Sequence, residues 1–264
     1  MRERPQVKAL PRGYTPRVAD ASKVPEPTVV FWILKIAATT LGETGGDAVT
    51  MSLNLGYLVG TVIFAAVFLA AVAVQLKTPR FHPVVYWVTI VATTTVGTTL
   101  ADFADRSLHI GYAGGVTVLV VLLAASLGVW RWRLGTVSIG SVTHARAEAF
   151  YWVTIMFSQT LGTALGDWTA DSAGLGYRAS ALAFGLALAV IAALRFATKI
   201  SRTALFWAAF VLTRPLGAVV GDWLDKPHAD GGLALSRYAA TAVLVAFMLV
   251  GILVLPQRAS RTAH

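Results

Sequence analysis

Four copies of one pattern constrain the fold of this chain more than any other feature. The segments Thr39–Asp47, Thr94–Asp102, Gln159–Asp167 and Arg214–Asp222 share a frame of Gly, three residues, a small residue and Asp. Their offsets are 55, 65 and 55 residues. Such regularity points to a supersecondary unit duplicated once, with the pair then duplicated again. Gly56-Tyr57, Gly111-Tyr112 and Gly176-Tyr177 repeat after the Asp, and Tyr238 takes the tyrosine position of the fourth copy.

Each copy lies in apolar sequence. The chain is 56% hydrophobic and 13% charged, with mean hydropathy +0.67, against about 25% charged for a soluble domain. A span needs about 20 mostly apolar residues. Eight segments satisfy this: 29–49, 56–76, 84–104, 111–130, 148–169, 177–195, 203–224 and 236–255. The expected fold class is all-α, a polytopic membrane bundle of eight transmembrane helices in four parallel helical-hairpin repeats, 29–76, 84–130, 148–195 and 203–255. Odd spans carry Thr, Gly and acidic residues and should face the interior. Even spans are mostly Ala, Val, Leu and Ile and should face lipid.

Sixteen Lys and Arg fall in the two tails and the links after spans 2, 4 and 6. Only Arg106, Arg178, Lys226 and Arg237 follow the odd spans. That bias places both termini on the cytoplasmic side of the membrane. Residues 1–28 read as a disordered basic cytoplasmic tail, and 256–264 as a second cytoplasmic tail. Trp32, Trp87, Trp152 and Trp207 read as interfacial anchors. The net charge of +9 follows membrane topology, which argues against nucleic acid as a partner. With no cysteine, thiolate metal sites and cysteine nucleophiles are excluded.

The glycines pair at four-residue spacing: Gly42 with Gly46, Gly162 with Gly166, Gly217 with Gly221, and Gly97 with Ala101. Such stripes let helices approach closely. Asp47, Asp102, Asp167 and Asp222 should share one depth, as a ring or as an outer rim. Asp105, Asp171 and Asp225 lie just beyond and read as water-facing. Glu43 lies one turn deeper, where the other repeats have Thr98, Thr163 and Ala218. A carboxylate there needs hydration, a partner or a cation. Arg214, one turn deeper again, is the candidate partner and counter-charge, with Lys35 below it. A purely structural ion pair is the alternative use. Thr39, Thr40, Thr94, Thr98, Thr163 and Gln159 add oxygen ligands or pathway groups, although some hydroxyls will bond their own helix. An oxygen-rich, sulfur-free set suits hard cations.

The Thr-Thr-x-Gly-Glu-Thr-x-Gly-Asp run of the first repeat resembles a family of bacterial multi-span inner-membrane "membrane-anchored" repeat proteins. The resemblance covers residues 29–255 and implies manganese export. It makes Glu43, Asp47, Asp102, Asp167 and Asp222 the metal positions, with Mn²⁺ as transported ion and no tightly bound cofactor. The fourth copy departs most, with Arg214-Pro215 where the first has Thr-Thr. The expected function is therefore a divalent-cation transporter and not an enzyme, with the lipid bilayer and the cation as partners. A proton-coupled carrier of a small organic solute and a non-transporting membrane anchor or assembly protein are the alternatives. An intramembrane aspartyl protease needs two carboxylates, and four equivalent copies argue against it.

Overall fold

The computed structural model describes residues 21–108 and 110–261. Eight helices dominate: α1 (Val29–Asp47), α2 (Gly56–Lys77), α3 (Pro83–Asp102), α4 (Tyr112–Leu134), α5 (Ala145–Asp167), α6 (Gly176–Ala197), α7 (Arg202–Asp225) and α8 (Arg237–Val254). Local chemistry sets their starts. Thr28, His82, His144 and Ser236 each accept a hydrogen bond from a first-turn N–H. Pro83 begins α3, where a missing N–H costs nothing. The glycine before each repeated tyrosine has a physical reason too. Gly56, Gly111 and Gly176 have φ of 75°, 78° and 69°, a region that side-chain-bearing residues avoid.

Six helices are long and apolar enough to cross a membrane: α2, α3 with its following turn, α4, α6, α7 and α8. The chain is thus a membrane protein. α1 and α5 are also long but carry Lys35 and Glu43, and Glu148 and Gln159, which lower their hydropathy. The expected division between odd and even helices holds. The most apolar stretches of α2, α4, α6 and α8 are each 11% buried, against 72% for α3 and 67% for α7.

The odd helices close a ring in which α1 packs on α3, α3 on α5, α5 on α7 and α7 on α1. Each even helix then packs on the next repeat's odd helix: α2 on α3, α4 on α5, α6 on α7 and α8 on α1. The expected hairpins are corrected here. The two helices of one repeat splay apart, and the turn between them reaches across to the neighbouring repeat. α8 lies on α1, so the last repeat closes onto the first.

Sequence explains the ring. In lipid, helices associate through van der Waals packing rather than a hydrophobic driving force, so small residues decide where backbones meet. The first glycine of each stripe faces the next helix in the ring. Gly42 faces Thr94, Gly97 faces Gln159, Gly162 faces Arg214 and Gly217 faces Thr39. The second position repeats the rule, with Gly46 on Thr98, Gly166 on Ala218 and Gly221 on Glu43.

Two further expectations are corrected. The tryptophans are not a lipid-facing belt. Trp87, Trp152 and Trp207 are buried, and Trp32 is half-buried beside Phe31. An aromatic precedes each of them (Phe31, Tyr86, Tyr151 and Phe206), and these pairs interlock with Trp130 and Phe210 into a plug. The Tyr86 and Tyr151 hydroxyls meet at 2.6 Å. The ring thus closes at the end where the odd helices begin.

Residues 21–28 are not a disordered tail, while 1–20 lie outside the described residues. Ser22, Lys23 and Val24 are buried, and Pro25 pairs with Ala259 in an isolated bridge that ties this strap to the described part of the C-terminal segment. Lys23 Nζ bonds Glu148 Oε2 at 2.7 Å and the Gln75 and Leu76 carbonyls that end α2. Gln75 Nε2 donates to the other Glu148 oxygen at 2.9 Å. A cation on a helix C-terminus and a paired buried carboxylate explain why this strap holds.

Candidate functional site

The polar groups of the odd helices stack along the ring axis, above the aromatic plug. Asp102 lies 15 residues beyond Trp87, about 22 Å along a helix. Between these two levels sits Arg214, wholly buried. Its side chain leaves α7 over Gly162 of α5, where any Cβ would collide with it. Its Nη2 then donates to Glu43 Oε2 on α1 at 2.7 Å, and to the Thr98 hydroxyl on α3 and the Thr163 hydroxyl on α5. Nη1 reaches the Thr39 carbonyl at 3.4 Å. One guanidinium thus ties all four odd helices together, and the partnership suggested by spacing is made. Thr98 also donates to Glu43 Oε2 at 3.3 Å.

Below Arg214, Lys35 is fully buried. Its Nζ donates to Gln159 Oε1 at 3.4 Å and lies 4.3 Å from the Phe210 ring centroid. No carboxylate pairs with it among the described residues. Thr94 Oγ1, Gln159 Nε2 and Arg214 Nε are buried without hydrogen-bond partners among the described residues. Thr39 and Thr40 spend their hydroxyls on backbone carbonyls, Thr39 on Lys35, Ile36 and Thr213 and Thr40 on Ile36. That is the local use open to any helical threonine.

Above Arg214 lie the four repeat aspartates, all at most 3% exposed. They form two clamped pairs. Lys226 Nζ sits 3.1 Å from both Asp47 Oδ2 and Asp222 Oδ1. Arg106 Nε bonds Asp102 Oδ1 at 2.9 Å and its Nη2 comes within 4.0 Å of Asp167 Oδ2. Each cation stands four residues after its own repeat's Asp and reaches the Asp of the next helix round the ring. Burial alone would lower the Lys226 pKa, but Asp222, Asp47 and Asp225 hold it well above the ordinary lysine value. Asp225, expected to face water, is buried and bonded to Arg237 at 3.0 Å. Asp105 is half-buried, and Asp171 is exposed as expected.

Two carboxylate clusters result. Glu43, Asp167 and Asp222 each offer an oxygen within 4.8 Å of the others, as do Asp47, Asp222 and Asp225. Asp222 belongs to both, and Asp102 to neither. In repeats 1 to 3 the Asp ends its α-helix and a π turn follows: Ala48–Ser52, Phe103–Ser107 and Trp168–Ser172. Single π turns inside helices are frequent at functional sites. Sequence reasoning missed Arg106, Lys226, Arg237 and Asp225. Asp followed at +4 by Arg or Lys in repeats 2 and 4, 120 residues apart, was a readable sign of the first two. The Asp225–Arg237 contact forms only when the fourth repeat's longer link folds back.

A closed ring of repeat-equivalent helices with a buried, charged axis defines a polytopic membrane repeat protein. The chain belongs to the family described as Repeat of Unknown Function (DUF347), which matches residues 30–81, 85–136, 150–201 and 205–262, one match per repeat. No curated protein and no solved structure matches it.

Proposed function

We propose that this protein is a membrane transporter of a hard divalent cation, with Glu43, Asp167 and Asp222 as its central ligands and manganese as the cargo that the sequence resemblance favours. The observation that carries this reading is the convergence of these three buried carboxylates, each offering an oxygen within 4.8 Å of the others, with Glu43 paired to Arg214. Three carboxylates at that spacing match the oxygen coordination of Mn²⁺ or Mg²⁺. Arg214 on Glu43 supplies the counter-charge while no cation is bound. The aromatic plug on one side and the Lys226 and Arg106 clamps on the other describe an occluded state. Transport then requires the clamps to release toward one side and the plug to repack toward the other. The proposed topology has eight spans, both termini in the bacterial cytoplasm and export as the direction.

Manganese flux into vesicles reconstituted with the full chain tests this. The wild type should transport Mn²⁺, and Glu43→Gln with Asp167→Asn should abolish transport while the protein stays folded. Absence of wild-type flux, or full flux through the double variant, overturns the proposal.

A second reading rests on a separate observation. Lys35, Gln159 Nε2 and Arg214 Nε are buried donors with unused capacity, and such donors favour an acceptor-rich ligand. A proton-coupled carrier of a small organic anion would place its cargo there. Thermal stabilisation by an organic anion but not by Mn²⁺ would select it.

A further inference from the structure

A groove of about 740 Å³ opens outside the ring, between the first half of α1, the last turns of α6 and the first half of α7. Its walls are apolar, with Val29, Ile33, Leu188, Ala192, Phe206 and Ala209. It is also lined by Arg195 near the end of α6, Arg202 at the start of α7 and Arg261 of the C-terminal segment, against a single carboxylate, Glu26. None of these arginines has a carboxylate partner among the described residues. Along α7 the groove runs from Arg202 to Thr213, about 16 Å of helix. That is close to one leaflet of hydrocarbon, about 15 Å.

We propose that this groove binds one anionic phospholipid from the leaflet on the Lys- and Arg-rich side, its acyl chains between α1, α6 and α7 and its phosphate among Arg195, Arg202 and Arg261. Charge and depth together select this occupant. A zwitterionic lipid gains little from three unpaired guanidiniums, and a soluble anion leaves the apolar walls uncovered. The groove ends at Thr213, whose carbonyl accepts from Thr39 across the α1–α7 seam. The lipid therefore props the seam that carries Arg214 and Glu43, whatever cargo the axis takes.

Native mass spectrometry of the full chain in detergent, loaded with phosphatidylglycerol or phosphatidylcholine of identical chains, tests the site. The wild type should retain phosphatidylglycerol roughly tenfold better. Arg195→Gln with Arg202→Gln and Arg261→Gln should remove that preference, and Arg131→Gln with Arg133→Gln, on α4, should keep it. Ala192→Trp should lower retention of both lipids with every arginine in place, which decides the matter if the triple variant misfolds. Equal retention of the two lipids by the wild type, or an unchanged preference in the triple variant, overturns the proposal. So does competition by glycerol phosphate alone as effective as by the whole lipid.

Discussion

At the level of Asp47, Asp102, Asp167 and Asp222 the four repeats present one residue type, and at the aromatic plug they present four aromatic–Trp pairs. Between these levels the repeats disagree. One layer holds Glu43, Thr98, Thr163 and Ala218, the next Thr39, Thr94, Gln159 and Arg214, and a third Lys35, Ile90, Ile155 and Phe210. The end layers are what fourfold packing allows: equal side chains at equal depth, neutralised or interlocked in pairs. The middle cannot be fourfold, because four arginines or four glutamates on one axis would repel without compensation. One Glu, one Arg and hydroxyls between them solve that problem once, at the axis. The asymmetry therefore marks where the charge that can do chemistry is held.

The largest effect should come from breaking the middle layer. Arg214→Met leaves Glu43 buried and unpaired and should destabilise the protein by about 3–5 kcal/mol, seen as a fall in thermal unfolding temperature in detergent. Glu43→Gln added to Arg214→Met should recover most of that loss, since a neutral pair asks for no counter-charge. Equal instability of the single and double variants would show that Arg214 acts through packing against Gly162 rather than through its charge.

Gly162→Ala probes the same hub from its other side. The added methyl would occupy the path of the Arg214 side chain, whose Cβ and Cγ lie against this glycine. Overpacking of this kind costs about 1–3 kcal/mol. The equivalent change at Gly185 on α6, where nothing lies within 4 Å, should be neutral or slightly stabilising. A similar loss at both positions, which helix propensity cannot cause because Ala is the better helix former, would mean that contact with the Arg214 side chain does not set the requirement for glycine at 162.

The contrast between layers also explains how far the sequence could be read. Repeats, odd and even roles, and the Glu43–Arg214 partnership are one-dimensional facts: period, composition, and a lone carboxylate one turn from the depth of a lone cation. The splaying of each repeat was not readable, because the link lengths permit either a hairpin or a reach to the neighbour. Only the glycine faces decide, and those need the helix rotation. Trp87 and Trp152 looked like interface anchors because position along a span carries no information about which way a ring points. Lys226 looked like an exposed link residue, although its spacing from Asp222 already placed it on the Asp face. The division of the Asp layer into two clamped pairs depends on contacts across the ring, which no single repeat contains.

The smallest of these effects should separate the two clamps. Lys226 is 12% exposed and Arg106 34%, so solvent screens the second pair more. Lys226→Met should cost about 1–3 kcal/mol, and Arg106→Met clearly less. The pH dependence has a definite sign. A lysine whose folded-state pKa is raised stabilises fully below its unfolded value of about 10.4, and loses that contribution only as pH climbs through the higher folded value. The difference in unfolding temperature between wild type and Lys226→Met should therefore stay level from about pH 7 to about pH 10. A gap that closes between those limits would mean that Lys226 is uncharged in the clamp.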